Sequence, residues 1–130
     1  IPLYHTYQQR AYGAEAAIMV KQIMDAEIIY YLENNKFFPD NTTIIIAHGD
    51  DPADEDITRV KEALNITIPV GHFLDYTLIV DNNDPDDAFF QLIIDVTQGK
   101  DFPLFAGGVS PGKIVVQLKK DGRIYPIKTW

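Results

Sequence analysis

The feature that most constrains this chain is a long, nearly unbroken run at its start. No proline lies between Pro2 and Pro39, and the only glycine before Asn35 is Gly13. Within the run, apolar residues recur as Ala17, Val20, Met24, Ile28 and Tyr31, with Ala16, Ile23 and Tyr30 beside them. Steps of three and four residues place them on one face of an α-helix. Glu15, Gln22, Asp25 and Glu33 fall largely on other faces. Pro2 suits a first turn, and Asn34-Asn35 ahead of Phe38-Pro39 suits an end, so the sequence predicts a helix over 1–35. At a rise of ~1.5 Å per residue it would be about 45–50 Å long. A domain of this size is narrower than that, so one end is expected to project.

The two halves of this helix differ in chemistry. From Ala16 onward the apolar stripe has the width of a core-facing helix. Before Ala14 the residues are aromatic and polar: Tyr4, His5, Tyr7, Gln8, Gln9, Arg10 and Tyr12. That stretch is too polar for a core and too aromatic for an ordinary solvent face. It is either a solvated helix tip or a juxtamembrane or subunit-contact segment, since tyrosine favours boundaries between apolar and wet surroundings.

The run Ile1-Pro2, Tyr4, Tyr7, Arg10-Ala11 resembles the stretch that follows the hydrophobic anchor of type IV pilins and pseudopilins. Residues 30–39, Tyr-Tyr-Leu-Glu-Asn-Asn-Lys-Phe-Phe-Pro, resemble the end of the same helix in that family. The likeness covers about the first third of the chain; the remainder agrees in element order only. It implies filament assembly through the N-terminal helix, with Leu3, Tyr4, Tyr7 and Arg10 as filament-contact residues. It also implies that a hydrophobic helix half, behind a short cleaved leader, precedes Ile1 in the gene product. The expected setting is then extracytoplasmic, on a cell-surface filament or in the periplasm, with anchorage in the membrane before assembly. Expected partners are further copies, other pilin-like subunits and an assembly machinery.

A chain of 130 residues with 46% hydrophobic content makes one domain with one core. There is no cysteine, so the disulfide that closes a C-terminal loop in many pilins cannot form here. The balance of 19 acidic and 11 basic residues leaves a charge of −8, which repels phosphate backbones and argues against nucleic acid as a partner. No stretch approaches the ~18–20 apolar residues of a membrane span, and the first residue is Ile rather than Met.

Beyond the helix, 36–72 is a connecting region. Residues 42–47 are β-branched and short, either a strand or an extended packed segment. Asp54-Glu55-Asp56 ahead of Ile57, Val60 and Leu64 predicts a short helix from about Asp54 to Asn65. From 73 to 130 the pattern changes to period two. Leu74, Tyr76, Leu78 and Val80 form one alternating strand, and Phe90, Leu92, Ile94 and Val96 form another. After a loop from Gln98 to Gly112, residues Ile114, Val116 and Leu118 pair through Asp121-Gly122 with Arg123 to Thr129. Pro126 places that last strand at a sheet edge. The expected fold is α+β: a long helix on a roughly four-stranded antiparallel sheet, with one short extra helix. The helix stripe is expected to meet Tyr76, Leu78, Phe90, Leu92, Val116 and Leu118.

Catalytic chemistry has no evident carrier. His5, His48 and His72 lie in different elements at no metal-binding spacing. Ser110 is the only serine, and its Gly-Gly-Val-Ser-Pro-Gly context is no nucleophile elbow. Gly107-Gly108 and Gly112 lack the lysine and hydroxyl of a phosphate loop. The run Asp81 to Asp87 is rich in the oxygen ligands Ca²⁺ prefers, with Asp81, Asn83, Asp84 and Asp86 as candidates. It departs from the EF-hand pattern at Pro85, and a solvated acidic turn is the favoured reading. The functional expectation is a non-catalytic subunit of a type IV pilus-like or secretion pseudopilus filament, without cofactor. A free-standing ligand- or calcium-binding domain using the acidic loops is the alternative.

Overall fold

The computed structural model describes residues 2–47, 49–51, 53–69, 74–84, 86–96 and 112–129, with backbone alone for 2–11 and 126–129. The long helix, α1, runs from Pro2 to Asn34, 33 residues. At ~1.5 Å per residue this is about 50 Å. It stops where asparagines replace the backbone pattern. Asn35 turns left-handed at φ 58° and its N–H donates to the Tyr31 carbonyl at 2.7 Å. The Asn34 amide donates to the Tyr30 carbonyl at 3.0 Å, so carbonyls of the last turn are satisfied without glycine.

Five strands follow in the order in which they occur: β1 (Thr43–Ile46), β2 (Leu74–Asp81), β3 (Phe89–Val96), β4 (Lys113–Lys119) and β5 (Ile124–Thr129). Each pairs antiparallel with the next, an up-and-down meander. The sheet thus has one strand more than the roughly four expected. Residues 43–46 are a strand proper, because their alternation lets Ile44 and Ile46 join the core while their backbone pairs with β2. β5 is the far edge, and Pro126 sits opposite Val116 beside a register shift, where a missing N–H does least harm.

Between β1 and β2 the short helix α2 (Glu55–Leu64) is capped at both ends. The Asp54 carboxylate accepts the Asp56 N–H at 2.8 Å, and Asn65, left-handed at φ 57°, donates its N–H to the Lys61 carbonyl. The acidic residues here serve the positive end of the helix, as their place in the sequence predicts.

One face of the sheet is buried. Ile44, Leu78, Leu92 and Val116 form one row across four strands, and Tyr76 with Ile94 and Phe90 with Leu118 form the flanking ones. Ala16, Met19, Ile23 and Met24 of α1 belong to the same cluster, as do Ile57, Val60 and Leu64 of α2. The six sheet residues expected to meet the helix are all in this core. The helix stripe is rotated slightly from its expected centre. Ala17 is exposed and Val20 only half-buried, whereas Met19 and Glu27 are buried. The expected projection of the helix concerns residues 2–11, whose side chains lie outside those described.

Candidate assembly surface

Two sets of contacts fix the junction that carries α1 into the sheet. On the inside, Glu27 is fully buried, and its Oε1 accepts the Phe38 N–H at 2.9 Å. Its Oε2 is buried without a hydrogen-bond partner. Burial pushes the Glu27 carboxyl up to about 9, against the smaller downward pull of the Phe38 N–H. At neutral pH this side chain is a neutral acid. It therefore closes the junction without burying a charge.

On the outside, Asn82 at the end of β2 clamps the same connector. Its Oδ1 accepts the Phe37 N–H at 3.2 Å, and its Nδ2 donates to the Phe37 carbonyl at 3.1 Å. The same Nδ2 donates to Asp40 at 3.0 Å, and the Asn82 N–H donates to the Asn41 side chain at 2.6 Å. The Asn82 amide, then the Lys36 ammonium, hold the Asp40 carboxyl below its ordinary value. Ring contacts complete the junction: Tyr31 lies 4.7 Å from Phe37, and Tyr30 meets Phe38 edge-on at 5.8 Å.

With the junction fixed, the outward face of α1 is presented in one orientation. It carries Ile18, Ile29 and Leu32 at 57%, 56% and 79% exposure. Lys21 and Asp25 pair on it at 3.7 Å, both well exposed. Large aliphatic residues on a solvent-facing helix are a contact signal when they line up, as these do at helical spacing. Beside them, α1 and the end of α2 enclose an open groove of about 600 Å³ lined by Ala26, Ile29, Tyr30, Ala63, Leu64 and Ile66 among others. A smaller hollow of about 170 Å³ lies between Leu32 and the β4–β5 turn.

The candidate cation ligands are not gathered around a common point. Asp81 accepts the Asn83 N–H at 2.9 Å, and Asp84 accepts the Asp86 N–H at 3.0 Å, both local turn bonds. Asp86 pairs with Lys120 at 3.3 Å and Asp87 with Lys119 at 3.2 Å. The acidic turn is thus tied to the basic tip of the β4–β5 hairpin. Among the described residues, no group of three or more His, Asp or Glu is placed to hold a metal ion. On the outer sheet face Asp75 stands opposite Asp95, with Lys113 on the next strand. Partial burial and then Asp75 raise the Asp95 carboxyl, and Lys113 draws it back.

Leu3, Tyr4, Tyr7 and Arg10 all fall within helix α1, and their side chains lie outside the described ones. His48, His72, Gly107, Gly108 and Ser110 also lie outside the described residues. Among the described residues, no helix is long and apolar enough to cross a membrane. The chain matches no family model, no curated protein and no solved structure.

Two residues that matter here escaped the sequence reading. Glu27 follows Ile23 by four and Met24 by three, so helical spacing alone places it on the buried stripe. Asn82 has no comparable signal, because its partners are 41 to 45 residues away.

Proposed function

We propose that this chain is the globular part of a pilin-like filament subunit, non-catalytic, that assembles through α1. The observation that carries this reading is the outward face of a helix about 50 Å long, where Ile18, Ile29 and Leu32 stand in solvent although the same helix supplies one wall of the core. A helix that buries one side in the core and still carries large aliphatic residues among the charges of the other has a second packing partner to find. Copies of the chain are the simplest such partner, since a surface that meets a different surface of its own copy propagates into an open helical array whenever the rotation between copies does not close a ring. The resemblance of residues 1–11 and 30–39 to type IV pilins and pseudopilins supports the same reading. It adds an extracytoplasmic setting and membrane anchorage before assembly.

The test is to express the complete gene product in its native cell, shear the surface, and seek this chain in filaments by electron microscopy and mass spectrometry. An apolar helix encoded directly upstream of Ile1 and filaments containing the chain are the expected results. A plain secretion signal in that place, with the chain free in the medium, overturns the reading. The 130-residue chain by itself is expected to be a monomer at micromolar concentration. Residues 3–12 hold too few large aliphatic side chains for a coiled-coil seam, and a charge of −8 keeps copies apart. Light scattering over a dilution series checks this.

A further inference from the structure

The groove between α1 and the end of α2 has a chemistry that names its occupant. Its floor is apolar, from Ala26, Ile29, Leu64 and Ile66, and its rim carries Asp25 and Glu33. Asp25 already has Lys21 at 3.7 Å, whereas among the described residues Glu33 has no cation within ion-pair distance. The last carbonyls of α2 end at the same rim beside Asn65, which adds partial negative charge. The groove therefore suits a segment that is apolar or aromatic along one side and carries a cation at one end.

In a chain of charge −8, residues 1–13 contain Arg10 and no acidic residue. Leu3, Tyr7 and Arg10 recur at i, i+4 and i+7, and the backbone there is helical, so the three share one helix face. We propose that the groove seats residues 3–10 of a second copy, running parallel to α1, with Arg10 of the incoming helix beside Glu33. The parallel sense is set by charge: run the other way, Arg10 would meet Asp25, which Lys21 already balances, and Glu33 would meet Leu3. The centres of the two segments are about 21 residues apart along the helix. Copies would therefore be offset axially by roughly 30 Å at ~1.5 Å per residue. The contact is heterologous, so with this axial offset between copies it repeats as an open stack, a ring needing a contact without axial rise. It rests on the assembly reading above and specifies which surfaces meet.

The chain contains no cysteine, so introduced ones report cleanly. Tyr7→Cys and Ile29→Cys forms of the 130-residue chain are mixed at millimolar concentration with a short bismaleimide. A mixed covalent dimer is expected, with a ladder from the double variant and no dimer from either single variant alone. Glu33→Arg or Arg10→Glu should each cut the mixed dimer about five-fold, and the two together should restore it. Circular dichroism melts matching the parent chain show that the exposed substitutions leave the fold intact.

Dimers of Ile29→Cys with itself overturn the proposal, because an isologous contact cannot stack. So does a mixed dimer indifferent to both charge reversals. If Ile45→Cys or Tyr125→Cys chains cross-link while the Tyr7–Ile29 mixture does not, copies meet elsewhere: the groove proposal fails and the assembly reading stands. If no variant cross-links, the groove proposal fails also. The assembly reading fails separately, when the chain is missing from sheared filaments.

Discussion

The turn between β2 and β3 carries three carboxylates, with Asp81 a fourth at the end of β2, and the junction between α1 and β1 buries a single one. In the turn, Asp84, Asp86 and Asp87 stand in solvent, answered by turn amides and by Lys119 and Lys120. Each such pair holds its charge in water and contributes about 0–1 kcal/mol. At the junction, Glu27 is sealed from solvent, accepts one backbone N–H and leaves Oε2 without a partner. It keeps its proton, because ionisation there would set a charge against apolar neighbours. The conspicuous acidic cluster is energetically quiet, and the single inconspicuous acid is the one that the fold is sensitive to. Burial, more than the number of acids, decides what a carboxylate does.

The largest effect should come from adding a second buried carboxyl. Met24 is fully buried one turn before Glu27, on the same stripe. Met24→Asp is expected to abolish the cooperative thermal transition at pH 7, at a cost of several kcal/mol. Some structure should return near pH 4, where the new carboxyl takes up a proton. Val20→Asp should cost less, because Val20 is half-buried and can turn its charge toward water. Equal melting points for Met24→Asp and the parent chain would remove Met24 from the core.

Next comes the acid already present. The folded-state value of Glu27 lies near 9 and the ordinary value is 4.5. Between those two pH values the native state holds a proton that the unfolded chain has lost. Stability from this group is therefore complete below about 4.5 and falls as pH rises, by about 1.4 kcal/mol per unit, until about 9. Asp95 is raised too and adds in the same direction, while Asp40 is lowered and acts the opposite way at acid pH. Comparing the parent chain with Glu27→Gln isolates the one group. Glutamine offers Phe38 the same acceptor and, like the neutral acid, carries no charge, though its amide brings two N–H donors where the acid has one O–H. The two proteins should melt alike near pH 4, and the variant should be the more stable at pH 8 by a few kcal/mol. Parallel stability curves from pH 4 to pH 9 would show that Glu27 reaches water.

Much of this architecture was legible beforehand, for local reasons. Period-two alternation placed β2, β3 and β4 with the correct inward residues, because a strand with one buried face must alternate. The bounds of α2 were legible at about Asp54 and Asn65, which the structure shows to be its two caps, because helix ends are settled within a few residues. Five strands in place of about four follow from Thr43–Ile46, too short to distinguish from an extended segment until β2 lies beside it. The charge of Glu27 hid its place on the stripe. The role of Asn82 depends on two segments about 45 residues apart in sequence meeting at Phe37, which no local pattern records.

Asn82 offers the next smaller effect and lies between the two extremes. Like the acidic turn it is polar and near solvent, yet like Glu27 it completes backbone groups that have no other hydrogen bond among the described residues. Asn82→Ala removes both bonds to Phe37 and the bond to Asp40. A loss of about 1–3 kcal/mol is expected, read from urea titration. Asn82→Asp should be at least as costly, since it keeps the acceptor for Phe37 but sets a second carboxylate against Asp40. An unchanged midpoint in both would mean that water replaces the clamp without loss.

The smallest effect belongs to the acidic turn itself. Lys119→Ala and Lys120→Ala each delete one exposed pair, so each should shift stability by no more than about 1 kcal/mol, and less in high salt. Removing these lysines also frees Asp86 and Asp87, which sharpens the question of calcium. A cation that binds the native state raises the melting temperature in proportion to the logarithm of its concentration above the dissociation constant. In the parent chain Asp81 and Asp84 accept turn amides and Asp86 and Asp87 face lysines, so Ca²⁺ would have to displace bonds already made. No concentration-dependent rise is expected with Ca²⁺ in the parent chain. In the Lys119→Ala, Lys120→Ala double variant any rise should remain small, because Asp81 and Asp84 each keep one oxygen, Oδ1, engaged by a turn amide. A rise in the parent chain that vanishes with Asp81→Ala and Asp84→Ala would reverse the comparison, making the exposed cluster a site and its ion pairs the resting state of that site.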